Sequence, residues 1–359
     1  MEKGQTFPTQ YWHLLEDGRV QCDICPRACK LREGQQGLCF VRENQNNAVV
    51  LSTYGRSSGF CIDPIEKKPL NHFLPGTPVF SFGTAGCNLT CKFCQNWDIS
   101  KSREMDTLAQ EASPENLALA AHKLKCRSIA FTYNDPVIFH EYAIDVAQAC
   151  HDKDIKAVAV TAGYMCDKPR EEFFSYMDAA NIDLKAFSEE FYYKITGAHI
   201  DPVLETLKYL KHETNVWFEI TTLLIPDTND SDQEIENMTQ WIVENLGRDV
   251  PLHFSAFRPE YKMRNKPPTP LSTLHRARNI ALKNGIKYAY TGNISCPQSE
   301  STYCHSCGTV LIGRDRYNLS LWHLTPEGNC KSCATPCAGV FEPEKGVWGS
   351  RRVPVYIKS

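Results

Sequence analysis

The sequence predicts an α/β protein, an open and incomplete (β/α)6-type barrel. A loop-rich, cysteine-bearing segment precedes the barrel and a segment of zinc-ribbon type follows it. Three observations carry this expectation. From about Val79 short β-rich runs alternate with longer amphipathic stretches. Several of those stretches begin with helix-start signals. Most of the seventeen cysteines fall into three groups, one in each part of the chain.

Residues 1–78 show little helical periodicity and many turn formers, among them Cys25-Pro26-Arg27 and Leu74-Pro75-Gly76. They read as a loop-rich segment held by its own metal. Residues 79–295 read as the barrel. Its expected strands are Val79–Phe82, Ser128–Tyr133, Lys156–Thr161, Asn181–Leu184, Val216–Ile225, Leu252–Phe257 and Lys287–Thr291. Helices are expected near 114–125, 137–152, 169–179, 203–212, 231–246 and 271–284. Ser113-Pro114-Glu115 supplies a cap, a first-turn proline and an acid. Ser231 and Glu234 form a capping box, and Asn284-Gly285 closes the last helix. Strands alternating with helices imply a parallel sheet with right-handed crossovers. Loops at the strand C-terminal ends would then face an active site. Residues 296–359 read as a double Cys-x2-Cys segment and a tail.

Composition sets the outer bounds. A chain of 359 residues suits one large domain with appendages, or two domains. A net charge of −3 gives no global field toward nucleic acid or anionic membranes. No apolar run is long enough to span a bilayer, so no membrane association is expected. Met1–Gln10 is polar and lacks the apolar core of an export signal, which points to the cytoplasm. There, clustered cysteines serve as metal ligands more often than as disulfides. Cys61, Cys126, Cys150, Cys166 and Cys296 stand alone and read as small buried apolar residues.

The chemistry concentrates in Gly86–Asn96, where Cys87, Cys91 and Cys94 form a Cys-x3-Cys-x2-Cys array. Thiolates are soft ligands, and this spacing lets one loop hold one metal centre. An iron–sulfur cube has four irons and the loop offers three thiolates, so one iron would stay open. The bland alternatives are a zinc knuckle or a chance cluster of buried cysteines.

The array, with Phe93 before its third cysteine, resembles the cluster motif of radical S-adenosylmethionine (radical SAM) enzymes. The resemblance implies a 4Fe–4S cluster whose open iron binds the methionine part of SAM. It implies reductive cleavage of SAM to methionine and a 5′-deoxyadenosyl radical that takes hydrogen from a substrate. It also implies a reductant such as flavodoxin or ferredoxin. Asn134 and Asp135 stand where the family places a Gly-Gly-Glu segment that contacts the SAM amino group. This chain departs from that segment in lacking the glycines and in carrying Asp for Glu. Thr161 begins a segment like the Thr-Asn-Gly of glycyl-radical-enzyme activases. Asp183 and Lys185 resemble the Asp-x-Lys of the same group. Lys185 suits the SAM carboxylate, but alternation puts it on the face of Asp183, so a salt bridge between the two reads equally well. Phe257 is a candidate adenine stacker. Cys166 and Tyr164 read as packing residues.

Cys22, Cys25, Cys29 and Cys39 supply enough thiolates for a closed site, either zinc or a second iron–sulfur cluster. Cys304 and Cys307, followed by Cys330 and Cys333, have the two-hook spacing of a zinc ribbon, with Cys337 spare. No basic stripe accompanies them, so nucleic acid is not the expected partner. The segment Asp63–Leu70 reads either as a solvated turn or as a wall of the cluster mouth.

From about residue 20 to 345 the combination resembles the radical SAM enzyme of the AmmeMemoRadiSam system, related to pyruvate formate-lyase activases. That resemblance implies AMMECR-type and Memo-type partner proteins. Two other functions compete. One is an activase acting on a glycine of a partner protein. The other is a non-catalytic zinc protein that binds a partner or nucleic acid.

Overall fold

The computed structural model describes residues 6–101, 108 and 110–357, so the first five residues of the polar stretch Met1–Gln10 lie outside it. All seven expected strands are present and pair in parallel. They run in chain order: Pro78–Phe82, Ser128–Phe131, Lys156–Thr161, Ala179–Asp183, Trp217–Leu224, Leu252–Ala256 and Ala289–Gly292. Consecutive parallel neighbours with no reversal of order make the incomplete barrel the sequence implies. Ser128–Phe131 is buried throughout, as a strand covered on both faces should be.

The intervening helices start where their caps say. The Ser113 side chain accepts from the Asn116 amide at 3.3 Å and opens Pro114–Lys123. Ser231 accepts from the Glu234 amide at 3.2 Å and opens Asp232–Leu246. The expected helix near 137–152 is a 3₁₀ turn, Pro136–Phe139, running into His140–His151.

Two additions were not visible in the sequence. Phe60–Pro64 joins the Pro78–Phe82 edge in antiparallel fashion, and Val353–Val355 pairs with Phe60–Pro64. The sheet thus reaches nine strands and draws on both flanking segments. The N-terminal segment also holds more strand than its turn formers suggest. Arg42–Gln45 and Ala48–Leu51 make a hairpin, and Trp12–Leu14, Val20–Cys22 and Lys30–Leu31 make a second small sheet.

The N-terminal segment is fastened by a buried ion pair. The Arg42 guanidinium meets Glu141 through Nη1–Oε1 at 3.1 Å and Nη2–Oε2 at 2.5 Å, with side chains 1% and 8% exposed. Its Nε donates to the Ile138 carbonyl at 3.1 Å. A buried pair adds little over an apolar one, but removing one partner strands the other. Arg42→Ala is therefore expected to cost about 3–5 kcal/mol, with the double change Arg42→Met, Glu141→Leu costing less. Urea denaturation of the metal-loaded protein checks the ranking.

Candidate active site

A cavity of about 710 Å³ opens at the C-terminal ends of the parallel strands. Cys87, Cys91 and Cys94 line one wall. The residues expected to contact SAM, Asn134, Asp135, Thr161, Asp183 and Lys185, line the same cavity. Lys67, Lys68 and Pro69 line it too, so the Asp63–Leu70 segment is a wall of the mouth and not a solvated turn.

The loop that carries the thiols is gripped from several sides. The Thr90 and Lys92 amides donate to the Thr196 and Ile195 carbonyls at 2.8 and 3.0 Å. The Asn134 side chain accepts from the Thr84 amide at 3.1 Å and donates to the Gly86 carbonyl at 2.9 Å. The Asn88 amide group donates to the Tyr164 carbonyl at 3.1 Å. Burial pushes the Cys87 thiol up to about 12, so it ionises only against a cation. Three soft donors on one short loop, facing a cavity of ligand size, fit a cluster with an open vertex.

The wall residues are largely satisfied within the chain. Asp135 accepts from the Thr161 hydroxyl at 2.7 Å, the Ala162 amide at 2.9 Å and the Val137 amide at 3.2 Å. Burial raises its carboxyl above the usual range despite these donors. Lys185 Nζ lies 2.9 Å from Asp183 Oδ2, so the salt bridge forms. Burial opposes the Lys185 charge, but the Asp183 carboxylate beside it outweighs that and holds the ammonium above its ordinary value. Phe257 is fully buried in the core, which removes it as an adenine stacker. Tyr164 is also a core residue.

One constellation escaped the sequence. Asp63 is fully buried between Lys68 at 2.7 Å and Lys67 at 2.9 Å. The Tyr133 hydroxyl donates to Asp63 at 2.8 Å and lies 2.7 Å from Cys61 Sγ. Burial works against the Asp63 charge, yet the lysines hold its carboxyl well below the usual range. Tyr133 has φ +71°, an uncommon backbone state of the kind that collects at functional sites. Cys61 and Asp63 share one face of Phe60–Pro64, so alternation could have linked them had that strand been recognised.

The flanking cysteines form two further sites. Cys22, Cys25, Cys29 and Cys39 line a small separate cavity. Cys304, Cys307, Cys330 and Cys333 bring their sulfurs within 4.8 Å of one another and could hold a metal ion. The Cys304–Cys333 and Cys307–Cys330 separations are 3.6 and 3.8 Å. A hydrogen bond with the Thr309 hydroxyl leads the effects that pull the exposed Cys307 thiol down to about 6. Cys337 stands apart, 3.9 Å from His72 Nδ1.

Comparison with known proteins agrees with this geometry. Residues 82–242 match the model of the radical SAM superfamily. An uncharacterized protein of Methanocaldococcus jannaschii is 39% identical over 324 residues, 90% of this chain and 96% of its own. The pyruvate formate-lyase 1-activating enzyme of Escherichia coli is 23% identical across 60% of this chain and 93% of its own. A crystal structure of a radical SAM methyltransferase from Sphaerobacter thermophilus shares the fold. Its TM-score is 0.51 at 13% identity, covering 85% of this chain and 81% of that one. The chain belongs to the radical SAM superfamily. It is a radical SAM enzyme related to pyruvate formate-lyase activating enzymes, and that membership implies a 4Fe–4S cluster and SAM.

His72 joins the barrel to the C-terminal module. Its Nδ1 donates to the Ala338 carbonyl at 2.6 Å and its Nε2 accepts from the Tyr290 hydroxyl. Burial drives its imidazole down to about 4, against the opposing pull of Glu219. The folded value lies below the ordinary 6.5, so this stabilisation is full above that pH and is lost as the pH falls toward 4. Glu66, raised by burial to about 7, acts in the other direction. His72→Gln is expected to flatten the acid limb of the stability profile between pH 6.5 and 4, measured as the difference in urea midpoints from the unaltered protein.

Proposed function

We propose that this chain binds a 4Fe–4S cluster through Cys87, Cys91 and Cys94 and cleaves SAM reductively to abstract hydrogen from a substrate. The observation that supports it best is that the three thiols and all five expected SAM-contacting residues line one strand-end cavity. When bound, the cluster and SAM supply a one-electron scission of the sulfonium–C5′ bond and a carbon radical able to take a hydrogen atom.

The chain's own share is binding, orientation and exclusion of water. Lys185, held by Asp183, offers a cation for the SAM carboxylate. Asn134 fixes the thiol-bearing loop against the neighbouring strand end. Asp135 and Thr161 brace the next stretch of wall, and their mutual hydrogen bond leaves Asp135 acting on SAM only through what Thr161 and Ala162 present.

The wider assignment is to the radical SAM component of the AmmeMemoRadiSam system, with AMMECR-type and Memo-type partners. A flavodoxin or ferredoxin would serve as electron donor, and the cytoplasm as location. The N-terminal motifs and the closing Tyr290-Thr291-Gly292-Asn293 support this reading. The activating-enzyme relative favours one alternative, the activation of a glycyl radical enzyme. An activase would leave a protein-based radical on a partner polypeptide, and an enzyme acting on a small molecule would not. At Cys304, Cys307, Cys330 and Cys333 we propose zinc. A Zn–S bond of about 2.3 Å gives a tetrahedral edge near 3.8 Å, which the Cys304–Cys333 and Cys307–Cys330 separations match.

Anaerobic incubation with SAM and dithionite tests the core proposal. The unaltered protein is expected to form 5′-deoxyadenosine, and the variant with Cys87, Cys91 and Cys94 all changed to Ala to form none. Equal product from both would overturn the assignment. Lys185→Met is expected to weaken SAM binding about tenfold to a hundredfold, the worth of one charge-assisted hydrogen bond. Equilibrium dialysis with labelled SAM gives the ratio.

A further inference from the structure

We infer that Cys22, Cys25, Cys29 and Cys39 hold a second cubane iron–sulfur cluster, and not zinc, packed against the back of the loop that carries the first.

The chain provides its own standard for a zinc-sized site. Cys304, Cys307, Cys330 and Cys333 gather within 4.8 Å of one another. Among the described residues no other three potential ligand atoms draw together so closely. The four N-terminal thiols converge on one cavity without collapsing to that separation. Cys87, Cys91 and Cys94 likewise form no group that tight. A cube carries its irons on separate corners and spreads its thiolates wider than a single tetrahedral ion does.

The surroundings suit an anionic inorganic body. Cys22, Cys25 and Cys39 are 7–8% exposed, so four thiolates there need compensation from within. Arg42 and Arg27 both line the cavity. Arg42 is fixed by Glu141, whereas Arg27 Nη2 is a buried donor with no protein partner. The other arm of Arg27 is spoken for, since its Nε donates to the Asn88 carbonyl at 2.8 Å. The guanidinium charge that acts on these thiols is that of Arg42, which opposes the burial that raises Cys22 and Cys39.

The position follows from two contacts. The Cys39 carbonyl presses on Gly86, where an added Cβ would lie 2.0 Å from the oxygen and where φ is +87°. Arg27 holds Asn88 on the other side of Cys87. The N-terminal site therefore shares a wall with the catalytic loop. With four protein ligands it leaves no open iron, so it is a closed site and not a second point of SAM binding.

Metal and sulfide analysis of anaerobically purified protein tests this, independently of catalysis. The unaltered chain should carry about eight irons, eight sulfides and one zinc. With Cys87, Cys91 and Cys94 changed to Ala, about four irons and four sulfides should remain. The dithionite-reduced electron paramagnetic resonance signal of that variant should not change on addition of SAM. The variant with Cys22, Cys25, Cys29 and Cys39 changed to Ser should lose about four irons and keep its zinc. Should it fail to fold, the first variant decides alone. Iron-free protein after loss of Cys87, Cys91 and Cys94, with either one zinc or two, overturns the inference.

Discussion

Everything at the site depends on holding three soft thiols on a short loop while leaving one side of them open. A loop of this kind has no secondary structure of its own, so its neighbours must supply the restraint. Asn134 does so from the next strand end, closing two hydrogen bonds around Thr84 and Gly86. The Thr196 and Ile195 carbonyls take the Thr90 and Lys92 amides from the far side. Gly86 lets the Cys39 carbonyl approach at a distance that no side chain would tolerate. The N-terminal segment is thus part of the mould in which the thiol-bearing loop is cast.

That dependence explains why the flanking segments are tied so firmly to the barrel. On one side Arg42 and Glu141 clamp the N-terminal hairpin to the helix His140–His151. On the other, the buried Glu219 carboxylate accepts from the Asn71 and His72 amides and lies 2.6 Å from His253 Nε2. Buried Arg314 donates to the Asn71 carbonyl and to Thr302, linking the same stretch to the C-terminal module. Each network satisfies charges that would otherwise be costly to bury. The two flanks lock the edge formed by Phe60–Pro64 and Pro78–Phe82, from which the cluster loop springs.

The central strands and helices were legible because their signals are long. Parallel strands buried on both faces and capped amphipathic helices repeat their pattern over many residues. The edge strands were not. Phe60-Cys61-Ile62-Asp63-Pro64 hides a fully buried carboxylate that Lys67, Lys68 and Tyr133 make tolerable, and Val353–Val355 is too short to show a period. At the site, the thiols could be read from spacing alone. The residues expected to face SAM were legible as cavity lining but not in state. Nothing in one dimension says that Thr161 and Ala162 saturate Asp135, or that the Asp183–Lys185 bridge closes. Tyr133 was illegible because its reach to Asp63 comes from a left-handed backbone.

These states bear on what kind of chemistry the cavity can support. Asp135 is occupied by three donors, Asp183 by Lys185, and Asp63 behind the wall by two lysines and Tyr133. Each of the three carboxylates thus finds its partners within the chain. A wall whose charges are matched in pairs orients a charged ligand without moving protons. Homolytic chemistry is compatible with that arrangement, since its reacting atoms exchange single electrons and hydrogen atoms and the protein's contribution is to fix them in place.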